Sequence, residues 1–401
     1  MTTPVEVVAP ASVKGDPYSV ENITNPYPLI QRIREAGPVC WLEDIGVFAV
    51  GGYEEVWEIL TDFETFSSAG GLGPKDIRKQ AAWRPPSILE SDPPTHTVMR
   101  RALAGVINPN VSRQLRARIT EPADSLVDRV LAQGEIEVIS ELAEPFPLKV
   151  IPDLLGVRHE GREALLPYGN IVFNAFGPEN AILTRAAARA DELSRLILES
   201  CTYESLDPDG LGVRIWDRVH EGLITDEQAQ LLMRALLSAG VDSTVLAIGN
   251  LLAVLAERPE AWARLRREPH LAKFAIDESL RFESPFQKFH RTVSADTVLG
   301  GVRLPKDAKV LLFLGAANRD PRKWGDDADT FDLDRNASGH VGFGMGLHQC
   351  IGQPIARVEI ETLLQSLLER VESIEPTAEF EPLVHNSLRG YARIPVRLIP
   401  A

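Results

Sequence analysis

The apolar and polar residues of this chain change pattern several times along its length, and the changes divide it into elements. Residues 25–36 read as a short helix, and the apolar, β-leaning stretch 39–50 reads as a hairpin that implies a small sheet. From 67 to 94 the sequence fills with Gly, Pro and Ser, and so long an irregular segment in a compact domain usually carries function. Helical patterns dominate from 95 to about 282, with short separators at Ala132-Gln133-Gly134, Gly156 and Asp207-Pro208-Asp209-Gly210. Within them, residues 225–257 predict one long helix, with Thr225 and Glu227 near its start and Pro259 past its end. Short strands, a meander rich in Asp and Arg over 318–340, a glycine-bearing loop, a helix from Gln353 to about Arg370 and terminal β pairs complete the chain. No internal repeat or low-complexity tract is present.

Composition narrows the class. With 44% hydrophobic and 25% charged residues the chain is an ordinary globular one. Its 401 residues exceed the usual limit for a single core, although a cofactor buried between lobes can unite a fold of this length; one cofactor-centred domain over 1–401 is expected. The net charge of -15 argues against general attraction to nucleic acid or anionic membrane. The three cysteines, Cys40, Cys201 and Cys350, are far apart and form no CxxC, which excludes a disulfide framework or a cysteine-rich zinc site and suits a reducing cytoplasm. The opening MTTPVEVVAPASVKGD lacks the long apolar run of a signal peptide or membrane anchor, so residues 1–24 are expected to be a partly irregular extension.

The densest chemical signal is the run from Phe343 through Gly344, Gly346, His348 and Cys350 to Gly352. Glycines there let backbone pass tightly beneath a flat macrocycle, and Cys350 stands where a helix begins, so first-turn amides lie near its sulfur and favour the ionised form. Pro354 suits a first helical turn, which needs no N–H donor. This is the chemistry of a thiolate ligand to haem iron. The residues resemble the haem-binding loop of the cytochrome P450 family, and the order of elements resembles that family's fold along essentially the whole chain. The resemblance implies a mainly α, triangular haem-thiolate domain with small β-sheets. It also implies heme b held by Cys350, with Phe343, Gly344 and Gly352 around it, and O2 as co-substrate. Electrons from NAD(P)H would arrive one at a time through a separate ferredoxin and its reductase.

Other motifs fall where that family would place them. Glu278 and Arg281, three apart on a helix, would in isolation be a surface pair worth a few tenths of a kcal/mol; with Arg335 they resemble a structural triad that holds the haem-side core. Haem propionates need cations or donors when drawn inside protein. His96 and Arg100, one helical turn apart, can address them together, and Arg291 and His348 match positions that resemble further propionate ligands. On the long helix, Ala239, Gly240, Val241, Asp242, Ser243 and Thr244 resemble the oxygen-activation stretch. Gly240 lets the helix pass close to a haem ligand, Asp242 supplies an acid and Ser243 a hydroxyl able to bond back to a carbonyl and open the helix. Serine stands where threonine is commoner, and the missing methyl frees its rotamer.

For the substrate, Trp83-Arg84-Pro85-Pro86-Ser87, residues 168–176 and residues 282–289 are similar to the bacterial enzymes that demethylate para-methoxybenzoate. By that resemblance Arg84 and Ser87 hold a carboxylate, Val172, Phe173, Phe176 and Phe289 clamp a ring, and Leu89 and Ala239 complete the pocket. Two positions depart from the pattern: Ala235 replaces a serine that assists the carboxylate, and Phe286 replaces a smaller valine near the haem. A different para substituent or a longer acid such as a cinnamate would fit those departures. Arg100, Arg101, Arg113 and Arg116 are candidates for a basic face toward an acidic iron-sulfur partner, with a merely solvated face as the other reading. A peroxide-using or nitric-oxide-reducing member of the family, or a haem sensor or carrier, are the alternative functions; the acid–hydroxyl pair and the arginine-bearing pocket favour oxygenation.

Overall fold

The computed structural model describes residues 7–80 and 82–401. Its centre is the helix Asp226–Ala256, which starts where Thr225 caps it reciprocally with Gln228, the third helical residue, rather than with Glu227. By composition this helix could cross a membrane, but 78% of its most apolar stretch is buried inside the molecule, which identifies a core helix. Around it pack Pro145–Leu155, Leu165–Asn174, Leu211–His220 and Ala272–Glu283, and the helix Gln353–Arg370 lies along Pro109–Leu131.

The predicted hairpin forms as Cys40–Leu42 and Val47–Val50, turned at Gly46. It belongs to a six-stranded sheet that continues through Lys309–Phe313 and Lys288–Val293 to Phe66–Ser67. The N-terminal extension is more ordered than its polarity suggests: Ala11–Val13 adds to the sheet edge in parallel with Cys40–Leu42, and Val20–Thr24 is helical with Ser19 as its cap. Inside the region read as helical, Glu135–Glu137 is instead a strand paired with Pro395–Pro400, and Ile139–Ala143 is a π-helical turn. A three-residue strand with two glutamates carries no signal of its own; its partner lies at the other end of the chain.

The Glu278–Arg281 pair is no surface pair. Both side chains are wholly buried, 2.7 Å apart, and Arg335 reaches the same carboxylate at 3.2 Å. Arg281 also donates to the carbonyls of Asn318, Ala328 and Thr330, so the cation is fully engaged and the 318–340 meander is pinned to the helix beneath the cysteine loop.

Candidate active site

Between the long helix and the cysteine loop lies a cavity of about 250 Å³. One wall is the loop itself: Phe343, Gly344, His348, Cys350 and Gly352 all line it. The loop closes with the Cys350 amide donating to the Phe343 carbonyl at 2.9 Å. Gly346 has to be glycine, because its φ is +66° and a Cβ would come 2.5 Å from the Leu60 carbonyl. Cys350 lines the cavity and has accessible surface, although its sulfur sits deep in the protein. Burial therefore raises its thiol pKa, against the pull of the Gly352 and Gln353 amides, Arg100 and Arg357. The helix amides act in the expected direction but are outweighed by burial.

At the cavity's edge the expected polar set comes together. The rings of His96 and His348 stand 4.4 Å apart, with Arg100 and Arg291 lining the cavity beside them. Both nitrogens of His96 and Nε2 of His348 are buried without a hydrogen-bond partner. Burial and the neighbouring guanidiniums hold His96 down to about 4 and His348 to about 2, so both are neutral near pH 7. Arg291 is lowered to about 10 by burial and stays charged. Among the described residues neither Arg100 nor Arg291 has an ion-pair partner. Two guanidiniums without ion-pair partners and three unpartnered imidazole nitrogens leave this edge short of acceptors among the described residues, and a flat ligand with two carboxylates would satisfy it.

The opposite wall is the long helix, through Ala239, Gly240, Ser243 and Thr244. Ser243 Oγ donates to the Ala239 carbonyl at 2.8 Å, the back-bond expected of it, yet the helix runs through the position unbroken. Asp242 does not line the cavity. Its carboxyl packs against Gly169 of the neighbouring helix, Oδ2 has no hydrogen-bond partner among the described residues, and burial, reinforced by Glu144, raises its pKa well above the usual carboxylate range. The acid is one residue from the Ser243 hydroxyl.

The aromatic residues form a continuous wall. Phe286 stacks on Phe289 at 5.2 Å and meets Phe173 and Phe176 at 5.8 and 6.1 Å. Leu89 and Ala235 also line the cavity, whereas Val172 is buried in the core away from it. Arg84 and Ser87 are turned to a neighbour instead: Arg84 Nη2 lies 2.6 Å from Glu90 Oε1, and Ser87 donates to Oε2 through its amide at 2.9 Å and its hydroxyl at 3.1 Å. Burial would raise the Glu90 pKa, but Arg84 and Ser87 outweigh it and hold the carboxyl below its ordinary value. Of the four arginines expected to form a basic face, Arg100 points into the cavity and Arg116 pairs with Glu361, which leaves Arg101 and Arg113 exposed.

Thr244, the last residue of the 239–244 stretch, lines the cavity beside Ser243. Two residues of this region escaped the sequence reading. Arg234 is buried and donates to the Pro85 carbonyl at 2.7 Å, behind the Arg84 segment. Glu359 is fully buried at the cavity wall with both oxygens unpartnered and a pKa raised by burial; the signal was a lone acid among the apolar positions Ile355, Ile360 and Leu363.

A thiol held at a helix start beneath a flat cavity, with guanidiniums and imidazoles waiting for two carboxylates, defines a haem-thiolate protein. Comparison with known proteins agrees. Residues 207–397 match the cytochrome P450 family. The chain is 45% identical to cytochrome p450 CYP199A2 of Rhodopseudomonas palustris, with 100% of this chain and 98% of that one covered. It is 32% identical to cytochrome P450 107B1 of Saccharopolyspora erythraea, with 92% of each covered. Among solved structures it is similar to CYP109Q5 from Chondromyces apiculatus, with a TM-score of 0.82, 30% identity and 98% and 99% of the two chains covered. P450BioI, solved with an acyl carrier protein bearing hexadec-9Z-enoic acid, matches with a TM-score of 0.85, 28% identity and 94% and 100% covered. The chain belongs to the cytochrome P450 family. It is a haem-thiolate monooxygenase that uses O2 and electrons from NAD(P)H delivered through redox partners.

Proposed function

We propose that this monooxygenase oxidises the para substituent of small aromatic carboxylic acids, with O-demethylation of 4-methoxybenzoate as the type reaction. The single observation that carries the reading is the continuous aromatic wall of Phe173, Phe176, Phe286 and Phe289, against which one flat ring can pack in the cavity that Gly240 also lines. Edge and stacked aromatic contacts each contribute about 0.5–1.5 kcal/mol beyond burial and select planarity. The 45% identity to CYP199A2, together with the resemblance of residues 83–87, 168–176 and 282–289 to para-methoxybenzoate demethylases, supports the same substrate class. Arg84 and Ser87 are the proposed carboxylate anchor, which requires Arg84 to turn from Glu90 as the acid binds.

Cys350 would hold the haem iron through its sulfur, and His96, Arg100, Arg291 and His348 would hold the propionates. When bound, haem supplies activation of O2 and transfer of one oxygen atom. The residues of the chain do the rest. Asp242 holds a proton out of bulk solvent and Ser243 passes it into the cavity. The phenylalanines exclude water and fix the ring, so that the distance from anchor to haem selects the para position. Hydroxylation of a methoxy methyl gives a hemiacetal that collapses to a phenol and formaldehyde, while the second oxygen atom leaves as water after two electrons and two protons. A ferredoxin is the proposed electron donor, meeting Arg101 and Arg113.

Optical titration of the holoenzyme with 4-methoxybenzoate and its methyl ester tests the reading. The acid should bind at least tenfold more tightly than the ester, and Arg84→Ala should remove most of that advantage, because one charge-assisted hydrogen bond contributes about 1.5–3 kcal/mol. Equal binding of acid and ester by the wild type, unchanged in Arg84→Ala, would remove the benzoate reading and leave the haem-thiolate one intact.

A further inference from the structure

Lys288 and Phe289 are neighbours in the strand Lys288–Val293, so their side chains leave opposite faces. Phe289 lines the haem cavity. Lys288 lines a second, separate cavity of about 20 Å³, together with Asn22, Ile23, Phe313, His385 and Leu388. The lysine is 7% exposed, and its ammonium stands 5.1 Å from the Tyr18 ring centroid. Among the described residues it has no hydrogen-bond or ion-pair partner. A buried cation left so is costly, and burial accordingly lowers its pKa to about 7.

One further polar atom of a lining residue, His385 Nε2, is buried without a hydrogen-bond partner among the described residues. His385 Nδ1 accepts the amides of Ser387 and Leu388 at 3.1 Å each, so the ring proton is on Nε2. Burial, then Lys288, hold the His385 pKa down to about 3, with the Asn170 carbonyl beside the ring pulling weakly the other way. Two other charges act nearby: Asp16, which accepts the Tyr18 amide at 2.8 Å and pulls the Lys288 pKa up against burial, and Arg389, which lines the cavity and is held by Glu283 and the Tyr27 hydroxyl at 2.9 Å each. What remains on the lining is a pair of donors: an ammonium and an imidazole N–H. Such a set excludes a cation, and the volume admits one water-sized guest.

We propose that this cavity binds a single monovalent anion of chloride size, with Lys288 as its counter-charge and His385 as a donor. The site bears on the active site through backbone. The Gln287 amide donates to the Ser387 carbonyl at 2.9 Å, and Phe286 bridges to Leu388, so an anion held between Lys288 and His385 fastens the strand that carries Phe286 and Phe289.

The test is thermal melting of the holoenzyme at constant ionic strength in sodium chloride, bromide or gluconate, combined with anomalous diffraction from crystals grown in bromide. Chloride and bromide should raise the melting temperature by at least about 2 °C over gluconate, which is too bulky to enter, and Lys288→Met should abolish the difference. A bromide peak should lie in contact with Lys288 Nζ in the wild type, a readout that does not depend on the variant folding. No halide effect, an equal effect in Lys288→Met, or a water molecule at Lys288 with no bromide peak would each overturn the proposal.

Discussion

The carboxyl of Asp242 rests on the backbone of Gly169 so closely that a Cβ at residue 169 would come 1.4 Å from Oδ2. This contact crosses from the oxygen-side helix to Leu165–Asn174, whose next turn presents Phe173 to the cavity. It holds a carboxyl of raised pKa one residue from Ser243. Asp242→Asn preserves the shape and removes the proton, so product formation should fall at least tenfold with substrate binding changed less than twofold. Gly169→Ala should lower the same rate by pushing the acid aside. Stopped-flow binding and single-turnover product yield separate the two effects; a variant that loses binding but not turnover would contradict the assignment.

Ser243 bonds back to Ala239 without breaking the helix, and its rotamer is free of the methyl that threonine would add. Ser243→Ala should divert electrons to free hydrogen peroxide while NADH consumption continues. Ser243→Thr should raise the ratio of product to NADH above that of the wild type. The ratio of product, peroxide and NADH measures both, and identical ratios in all three proteins would show that the hydroxyl does not guide proton delivery.

His290 is 1% exposed, and burial holds its pKa down to about 3 from 6.5. Below about pH 6.5 the unfolded chain takes up a proton that folded His290 refuses, so stability is lost as pH falls, by at most about 1.4 kcal/mol per pH unit for this group. Denaturant midpoints measured from about pH 7 to 4 should fall less steeply for His290→Gln than for the wild type. Parallel slopes would remove His290 from the account.

Local pattern made much of this legible. The long helix and the helix after Cys350 begin and end within a residue of where their caps and prolines place them, because capping chemistry is local. The haem-edge residues were readable for a related reason: His96 and Arg100 lie on one helical turn, and His348 sits in the cysteine loop itself. What could not be read was direction. Nothing in Arg84-Pro85-Pro86-Ser87 says that both side chains turn to Glu90, that Val172 faces the core while Phe173 faces the cavity, or that Arg100 points inward and Arg116 is taken by Glu361, 245 residues away. Those outcomes depend on packing between distant elements, as does the burial that turns Glu278 and Arg281 from a surface pair into the anchor of the 318–340 meander.

The most direct test of the central claim is turnover of 4-methoxybenzoate by the holoenzyme with a ferredoxin, its reductase and NADH, assayed for 4-hydroxybenzoate and formaldehyde. Equal amounts of the two, absent in Cys350→Ala, are the expected result. Sustained NADH consumption with neither product, in an enzyme whose ferrous carbonyl spectrum shows thiolate ligation, would contradict oxidation at the para substituent.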